Sequence, residues 1–245
     1  MIKDNWSNNI TFLESTVTVF DDLKKKANNG ALEGTTIVSE LQTGGHGRLN
    51  RNWISPKGGL YFAFLIRPKK QLIGLSLVIA LWIVEFLDKQ VDIHCDILWP
   101  NDIFINGKKL GGILLEGTTG ENSYISVGIG LNINTEIKDE GKNPEGINPI
   151  SIFELTGKKY NLKEFIKKLI DYIQVEYIKF ENSSFDYYIE KITDRSLLKN
   201  RKIEVIDDVS YIGIAKKIGS NGELILIDEN RNEKSIWVCK KIKLL

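Results

Sequence analysis

The 245-residue sequence is poor in most features that would assign a special class at once. Its two cysteines, Cys95 and Cys239, lie far apart and form no Cys-x-x-Cys pair, and its two histidines, His46 and His94, make no ligand-spaced cluster with them. Neither a disulfide framework nor a zinc site is therefore expected. Charge of one sign is also missing: 33 Lys+Arg stand against 32 Asp+Glu, a net +1 that gives no bulk attraction to a polyanion. No apolar run is long. LSLVIALWIVEFL (75–87) is interrupted by Ser76 and Glu85 and stops short of the roughly 20 residues that span a bilayer. The start, MIKDNWSNNITFLEST, lacks the basic end and apolar core of a signal peptide, so a cytoplasmic location without membrane attachment is expected. What is there, 42% hydrophobic and 27% charged residues, suits an ordinary globular protein with one large and one small domain.

Residues 35–39, 60–66, 102–105, 112–116 and 124–133 carry the branched and aromatic side chains of strands, with Gly and Asn between them. The all-round apolar stretch 75–87 predicts a helix packed against that sheet. Asn161 starts a second helical pattern, in which Leu162, Phe165, Ile166, Leu169, Ile170, Ile173, Tyr177 and Phe180 form one apolar stripe. Residues 138–149, KDEGKNPEGINP, read as a polar surface loop. Beyond about Leu198 the texture becomes short strands, KIEVI, SYIGIAKKI, ELILID and KSIWVC, separated by turn residues. They predict a small SH3-like β-barrel, too small to hold a core without docking. The expected fold class is α+β, with a mixed β-sheet catalytic domain packed with helices over 1–197 and the barrel over 198–245.

Two segments carry candidate chemistry. QTGGHGRLNRNWISPKGG (42–59) holds glycines at 44, 45, 47, 58 and 59 with cations at Arg48 and Arg51. Such a loop brings backbone N–H groups and a guanidinium fork to a phosphate or carboxylate, although a plain mobile linker has the same composition. It is no Walker A loop, since no Gly-Lys-Ser/Thr follows. Trp53 either covers a ligand ring or pins the loop to the core. In WPNDIFINGKKLGG (99–112), Asn106-Gly107 predicts a tight hairpin that returns Lys109 close to Asp102. A surface pair of that kind is common and of small worth. Here Gly111-Gly112 removes side chains beside it and Ile113 and Leu114 follow, suggesting a slot with one charged end and apolar walls, completed by the strand GIGLN (128–132). His94 receives no role.

Taken in order, the loop GGHGRLNRNWISPKGGLYFAF, the hairpin WPNDIFINGKKLGGILLE and the strand VGIGLNIN, preceded by Glu14-Ser15-Thr16, resemble the catalytic domain of the biotin protein ligases. The likeness covers most of residues 12–134. It implies a sheet of the class II synthetase and lipoate ligase type. The implied activity joins biotin to the α-phosphate of ATP, with Mg²⁺, and passes the biotinyl group to a lysine of a biotin carboxyl carrier protein or domain, as for acetyl-CoA carboxylase. By that resemblance Ser15, Thr16 and Gln42 meet the polar ring of biotin, and Gly45, His46, Gly47 and Arg48 belong to the loop that closes over the adenylate. Trp53 falls near adenine, Asn101 among the residues that bind biotin or ATP, and Lys109 on the biotin carboxylate and α-phosphate. Gly112, Ile113, Leu114, Gly128 and Ile129 line the biotin slot, and Asn132 approaches the nucleotide. Lys109, Arg48 and Asp102 are the implied catalytic residues, Asp102 as a base for the incoming amine or a metal partner. No residue is assigned as a resident metal ligand.

The sequence departs from the family pattern in three places. His46 replaces the first arginine of Gly-Arg-Gly-Arg, Leu98 replaces the lysine of Lys-Trp-Pro-Asn-Asp, and Val17 follows Ser15-Thr16 where Asn is usual. Two cations are thus missing from a site for anions, which predicts looser ATP or adenylate binding. About a dozen residues precede Glu14, too few for a helix-turn-helix, so a DNA partner by that route is not expected. An exposed strand beside the slot would pair with the carrier or with a second copy of the chain in a homodimer. The competing readings are a lipoate or octanoate transferase and a biotin-binding protein with a decayed ATP site.

Overall fold

The computed structural model describes residues 5–118, 120, 123–137 and 148–245. The first part of the chain gives β1 (Ile10–Leu13), α1 (Val19–Asn28), β2 (Thr36–Ser39), β3 (Leu60–Ile66), α2 (Leu75–Val91), β4 (Asp96–Leu98), β5 (Asp102–Ile105), β6 (Lys108–Gly117) and β7 (Ile125–Leu131). These strands make one sheet in the order β1-β2-β3-β7-β6-β5-β4, in which β1 pairs with β2 in parallel and the other neighbours are antiparallel. The helices α3 (Ile152–Thr156), α4 (Leu162–Glu181) and α5 (Asp186–Asp194) follow. The strands β8 (Lys202–Ile206), β9 (Ser210–Ile218), β10 (Leu224–Ile227), β11 (Glu233–Ile236) and β12 (Lys241–Leu244) close the chain as a second, antiparallel sheet ordered β11-β10-β9-β8-β12.

Strand alternation divides the large sheet into two unlike faces. Val38, Phe62, Phe64, Ile113, Ile129 and Leu131 point to one side and join a core with α2 and α4, from which Val78, Trp82, Ile83, Leu169, Ile170 and Ile173 face inward. α2 is apolar all round because it is buried all round, and it runs four residues beyond the predicted end at 87. On the other face α1 covers only the β2–β3–β7 side, where Val19, Leu23 and Ala27 meet Ile37, Ala63 and Leu65. α1 was not anticipated. Its start is set by Thr18, whose hydroxyl accepts from the Phe20 N–H at 3.3 Å, an N-cap worth about 1 kcal/mol.

The second sheet does not stand apart. Ile203, Val205, Ala215, Ile218, Leu224, Leu226 and Ile236 belong to the same apolar cluster as α2 and α4, as a sheet too small for its own core requires. The Trp99 indole donates to the Gly222 carbonyl at 2.9 Å, and Ile97 bridges in parallel to Ser196. Most of the predicted loop at 138–149 lies outside the described residues. Its last two residues, Asn148 and Pro149, run beside Lys109, whose N–H donates to the Asn148 carbonyl at 2.8 Å.

Candidate active site

The site begins with a hairpin. Asn106 and Gly107 take left-handed φ values of 52° and 72°, which the two-residue turn between twisted strands demands, and β6 returns along β5. Pairing then slips by one residue: Ile103 faces Gly111, yet Phe104 faces Lys109, leaving Leu110 as the extra residue of a bulge. Without the bulge Lys109 would share the face of Gly111 and Ile113 and enter the helical core. With it, Leu110 is fully buried in that core and Lys109 turns to the other side, beside Asp102 and Gly112. The Lys109 ammonium donates to Asp102 Oδ2 at 2.6 Å, with both side chains less than one-fifth exposed. A half-buried pair of this kind gains strength from the lower dielectric while remaining open to an incoming anion on one side.

Beside this pair the sheet is bare. Gly112 and Gly130 are register partners on the same face, and the Trp53 indole lies on them: a Cβ at position 130 would come within 2.6 Å of Trp53 Nε1, and one at 112 within 3.3 Å of its ring. The Lys109 ammonium is 5.1 Å from the centre of that ring. Trp53 Nε1 is buried without a hydrogen-bond partner. Trp53, expected near adenine, thus lies on the glycine floor itself. Gly130 is a site residue that the sequence reading did not single out, although its alternation with Ile129 and Leu131 carried the signal.

The loop over this floor is tied at several points. Gln42 lies between two of them, its Oε1 accepting from the Val19 N–H at 2.9 Å and its Nε2 donating to Ser55 Oγ at 3.0 Å. Gly45 is packed so closely that a Cβ would sit 2.6 Å from Ser55 Oγ. The Gly47 N–H donates to the Arg51 carbonyl at 2.8 Å. Thr16 bridges to Gln42 and donates its hydroxyl to Asp22 at 2.5 Å, while Ser15 is exposed. His46 stands 3.8 Å from Glu116 and its ring is 5.9 Å from that of Phe20; Glu116 also pairs with Lys24 at 2.6 Å, a hydrogen bond that raises the Lys24 pKa. Arg48 donates to Asn101 Oδ1 at 3.3 Å. Arg51 donates to the backbone carbonyl of Lys240, so the C-terminal sheet reaches the loop. Next to it, burial raises the Cys239 thiol pKa, against the lowering fields of Arg48 and Arg51.

Three residues are placed differently from the expectation. Ile113 and Ile129 are register partners on the helical face, 2% and 4% exposed, so their side chains belong to the core and not to a slot wall. Gly128 is on the site face, but the Phe20 ring of α1 occupies the space above it, where a Cβ would lie 1.8 Å from a ring carbon. Leu114, its register partner, is half-buried on that face. Asn132 is buried, its amide donating to the Ile150 carbonyl at 3.2 Å. His94 contacts Arg195 far along the chain and takes no part in the loop.

An ammonium paired with a carboxylate at the end of a glycine floor, under a loop bearing Arg48, can receive the acid group of a flat or extended ligand. The chain belongs to the biotin/lipoate A/B protein ligase family, whose family model matches residues 10–134. Over 229 residues, 86% of its length, it is 31% identical to the bifunctional ligase/repressor BirA of Bacillus subtilis, and it spans 66% of that protein, just under two thirds. A biotin–[acetyl-CoA-carboxylase] ligase of Paracoccus denitrificans is 31% identical over 140 residues, 54% of this chain and 58% of that one. Among solved structures, the biotin protein ligase from Aquifex aeolicus in complex with biotin and ATP superposes with a TM-score of 0.85 at 29% identity, covering 97% of this chain and 99% of that one.

Proposed function

We propose that this chain is a biotin protein ligase, which converts biotin and ATP to biotinyl-5′-AMP and pyrophosphate and then acylates a lysine of a biotin carboxyl carrier domain. The observation that carries the reading is the Lys109–Asp102 pair at the end of the Gly112–Gly130 floor. Similarity to a biotin protein ligase solved with biotin and ATP supports it over nearly the whole chain. Residues 1–197 would hold the chemistry and residues 198–245 would brace the loop through Lys240. The cytoplasm, where ATP is supplied, would suit this work.

In the first step a carboxylate oxygen of biotin attacks the α-phosphorus, and the bond to pyrophosphate breaks. Two anions meet, so the main obstacle is their repulsion. Lys109, held by Asp102, would lie between the carboxylate and the α-phosphate, with Arg48 over the developing charge. Mg²⁺ would enter on the triphosphate and neutralise it. Asp102, the carboxylate beside Lys109, is already committed to that ammonium, which suits an ion carried by phosphate oxygens and water. In the second step the carrier amine attacks the acyl carbon and AMP leaves, and Asp102 would take the amine proton. Trp53 and the loop would exclude water from the mixed anhydride. Thr16 and Gln42 would face the polar ring of biotin from the α1 side.

The test is incubation with biotin, ATP, Mg²⁺ and a biotin carrier domain, read by mass, with lipoate offered alongside. One biotinyl group per carrier, dependent on ATP, is the expected result. Transfer of lipoate in its place, or no transfer, would overturn the reading.

A further inference from the structure

Every polar group of Asn101 already has a partner within the chain. Its Nδ2 donates to the Ile113 carbonyl at 2.6 Å, its Oδ1 accepts from Arg48 at 3.3 Å, its N–H donates to the Leu98 carbonyl at 3.2 Å and its carbonyl accepts from the Ile113 N–H at 2.9 Å. One half-buried amide therefore joins three pieces of chain: the end of β4, the strand that carries Gly112, and the loop that carries Arg48. We infer that Asn101 is a positioning residue for the adenylate, acting through Arg48 rather than by touching ligand; the inference rests on the ligase reading above.

The physical case is one of geometry and entropy. Arg48 sits on a loop whose next two residues, Leu49 and Asn50, hold left-handed φ values of 56° and 55° and are exposed. An arginine on such a loop samples many rotamers, and immobilising it costs side-chain entropy. The Oδ1 of Asn101 restricts that freedom before any ligand arrives and ties the guanidinium to the residue that precedes Asp102. A neutral amide is well suited to the task. A carboxylate in its place would compete with a phosphate for the guanidinium and would repel the Ile113 carbonyl, whereas the amide restrains Arg48 weakly and lets a phosphate take over the remaining N–H donors.

The consequence is selective. Biotin alone presents no phosphate, so its retention does not depend on where Arg48 points. Biotinyl adenylate does. Asn101→Ala, Asn101→Ser, Arg48→Gln and the Asn101→Ala/Arg48→Gln double variant are to be compared by calorimetry and by stopped-flow release, with biotin and with a non-hydrolysable biotinyl adenylate analogue. For Asn101→Ala the analogue is expected to dissociate roughly tenfold faster, with the affinity for biotin alone within twofold. The double variant is expected to be no worse than Arg48→Gln by itself, because both changes remove one interaction. Asn101→Ser, which keeps a short polar group near the Ile113 carbonyl but cannot reach Arg48, gives the same answer if the alanine variant does not fold. Equal weakening of both ligands, an unchanged analogue release, or additive effects in the double variant would each overturn the inference. Failure of the unsubstituted chain to bind either ligand would overturn the ligase reading itself, a different result from any of these.

Discussion

The two faces of the seven-stranded sheet use adjacent residues of the same strands for opposite purposes. On β6 and β7 the sequence alternates Gly112–Ile113 and Ile129–Gly130; the isoleucines pack under α2 and α4, and the glycines lie under Trp53. The helical face is closed, with Leu60, Phe62, Val78, Ile83 and Ile166 at essentially zero exposure. The site face is only partly covered, by α1 on one side and by the loop 42–59 on the other. Rigidity and access are thus separated by one residue step in the chain. The sheet is held in place from behind, which leaves its front free of the side chains that would otherwise be needed to stabilise it.

This contrast can be broken most severely on the front. Replacing Lys109 by Met should lower the rate of biotinyl-AMP formation about 10²- to 10³-fold with little change in fold, as measured by pyrophosphate release and circular dichroism. A wild-type rate would remove the proposed chemistry. Neighbouring residues then separate the faces: Ile129→Ala should cost about 2–4 kcal/mol in urea unfolding with biotin affinity little changed, whereas Gly130→Val, which must push the Trp53 indole off the floor, should weaken biotin roughly tenfold in calorimetry. Similar outcomes for the two would mean that the faces are not independent.

The helical side should also respond to alkali. Burial first, then the fields of Asp88 and Asp96, push the Cys95 thiol from 9.0 to about 12, and burial with Glu33 and Glu181 drives the Tyr177 phenol upward. The folded chain therefore keeps protons that the unfolded chain releases. This stability is fully present below about pH 9 and is lost as pH rises through the folded values, so the urea midpoint should fall progressively above about pH 9. A flat midpoint to pH 11 would contradict the burial of these groups. The smallest effect is expected at the lip of the site, where His46→Arg together with Leu98→Lys should tighten ATP about three- to tenfold in equilibrium binding. Unchanged affinity would show that the two missing cations do not matter here.

Much of the architecture was legible because local chemistry and tertiary role agree there. The strands 60–66 and 102–105, the turn at Asn106-Gly107 and the helix beginning after Asn161 occur where branched residues, turn residues and a capping amide predicted them. The proximity of Lys109 to Asp102 followed from the same turn. α1 escaped because VFDDLKKKAN has a narrow apolar stripe and most of its surface is charged, although Thr18 before Asp21 and Asp22 was a start signal. Ile113 and Ile129 were misassigned because apolar residues near a ligand motif were read as lining it, when strand alternation places them behind it. The contact between Arg51 and Lys240 depends on how the second sheet docks, which no local pattern encodes.

The slip at Leu110 gives the hairpin a sensitivity to length that no substitution would reveal. Lengthening β5 by a single residue opposite Leu110 would restore regular pairing with β6 and rotate the ammonium of Lys109 into hydrocarbon, while sending the Leu110 side chain out to the other face. Among changes of one codon in this hairpin, an insertion there should be more damaging than replacement of any neighbouring side chain, because it would exchange the two surfaces of the hairpin beyond the slip.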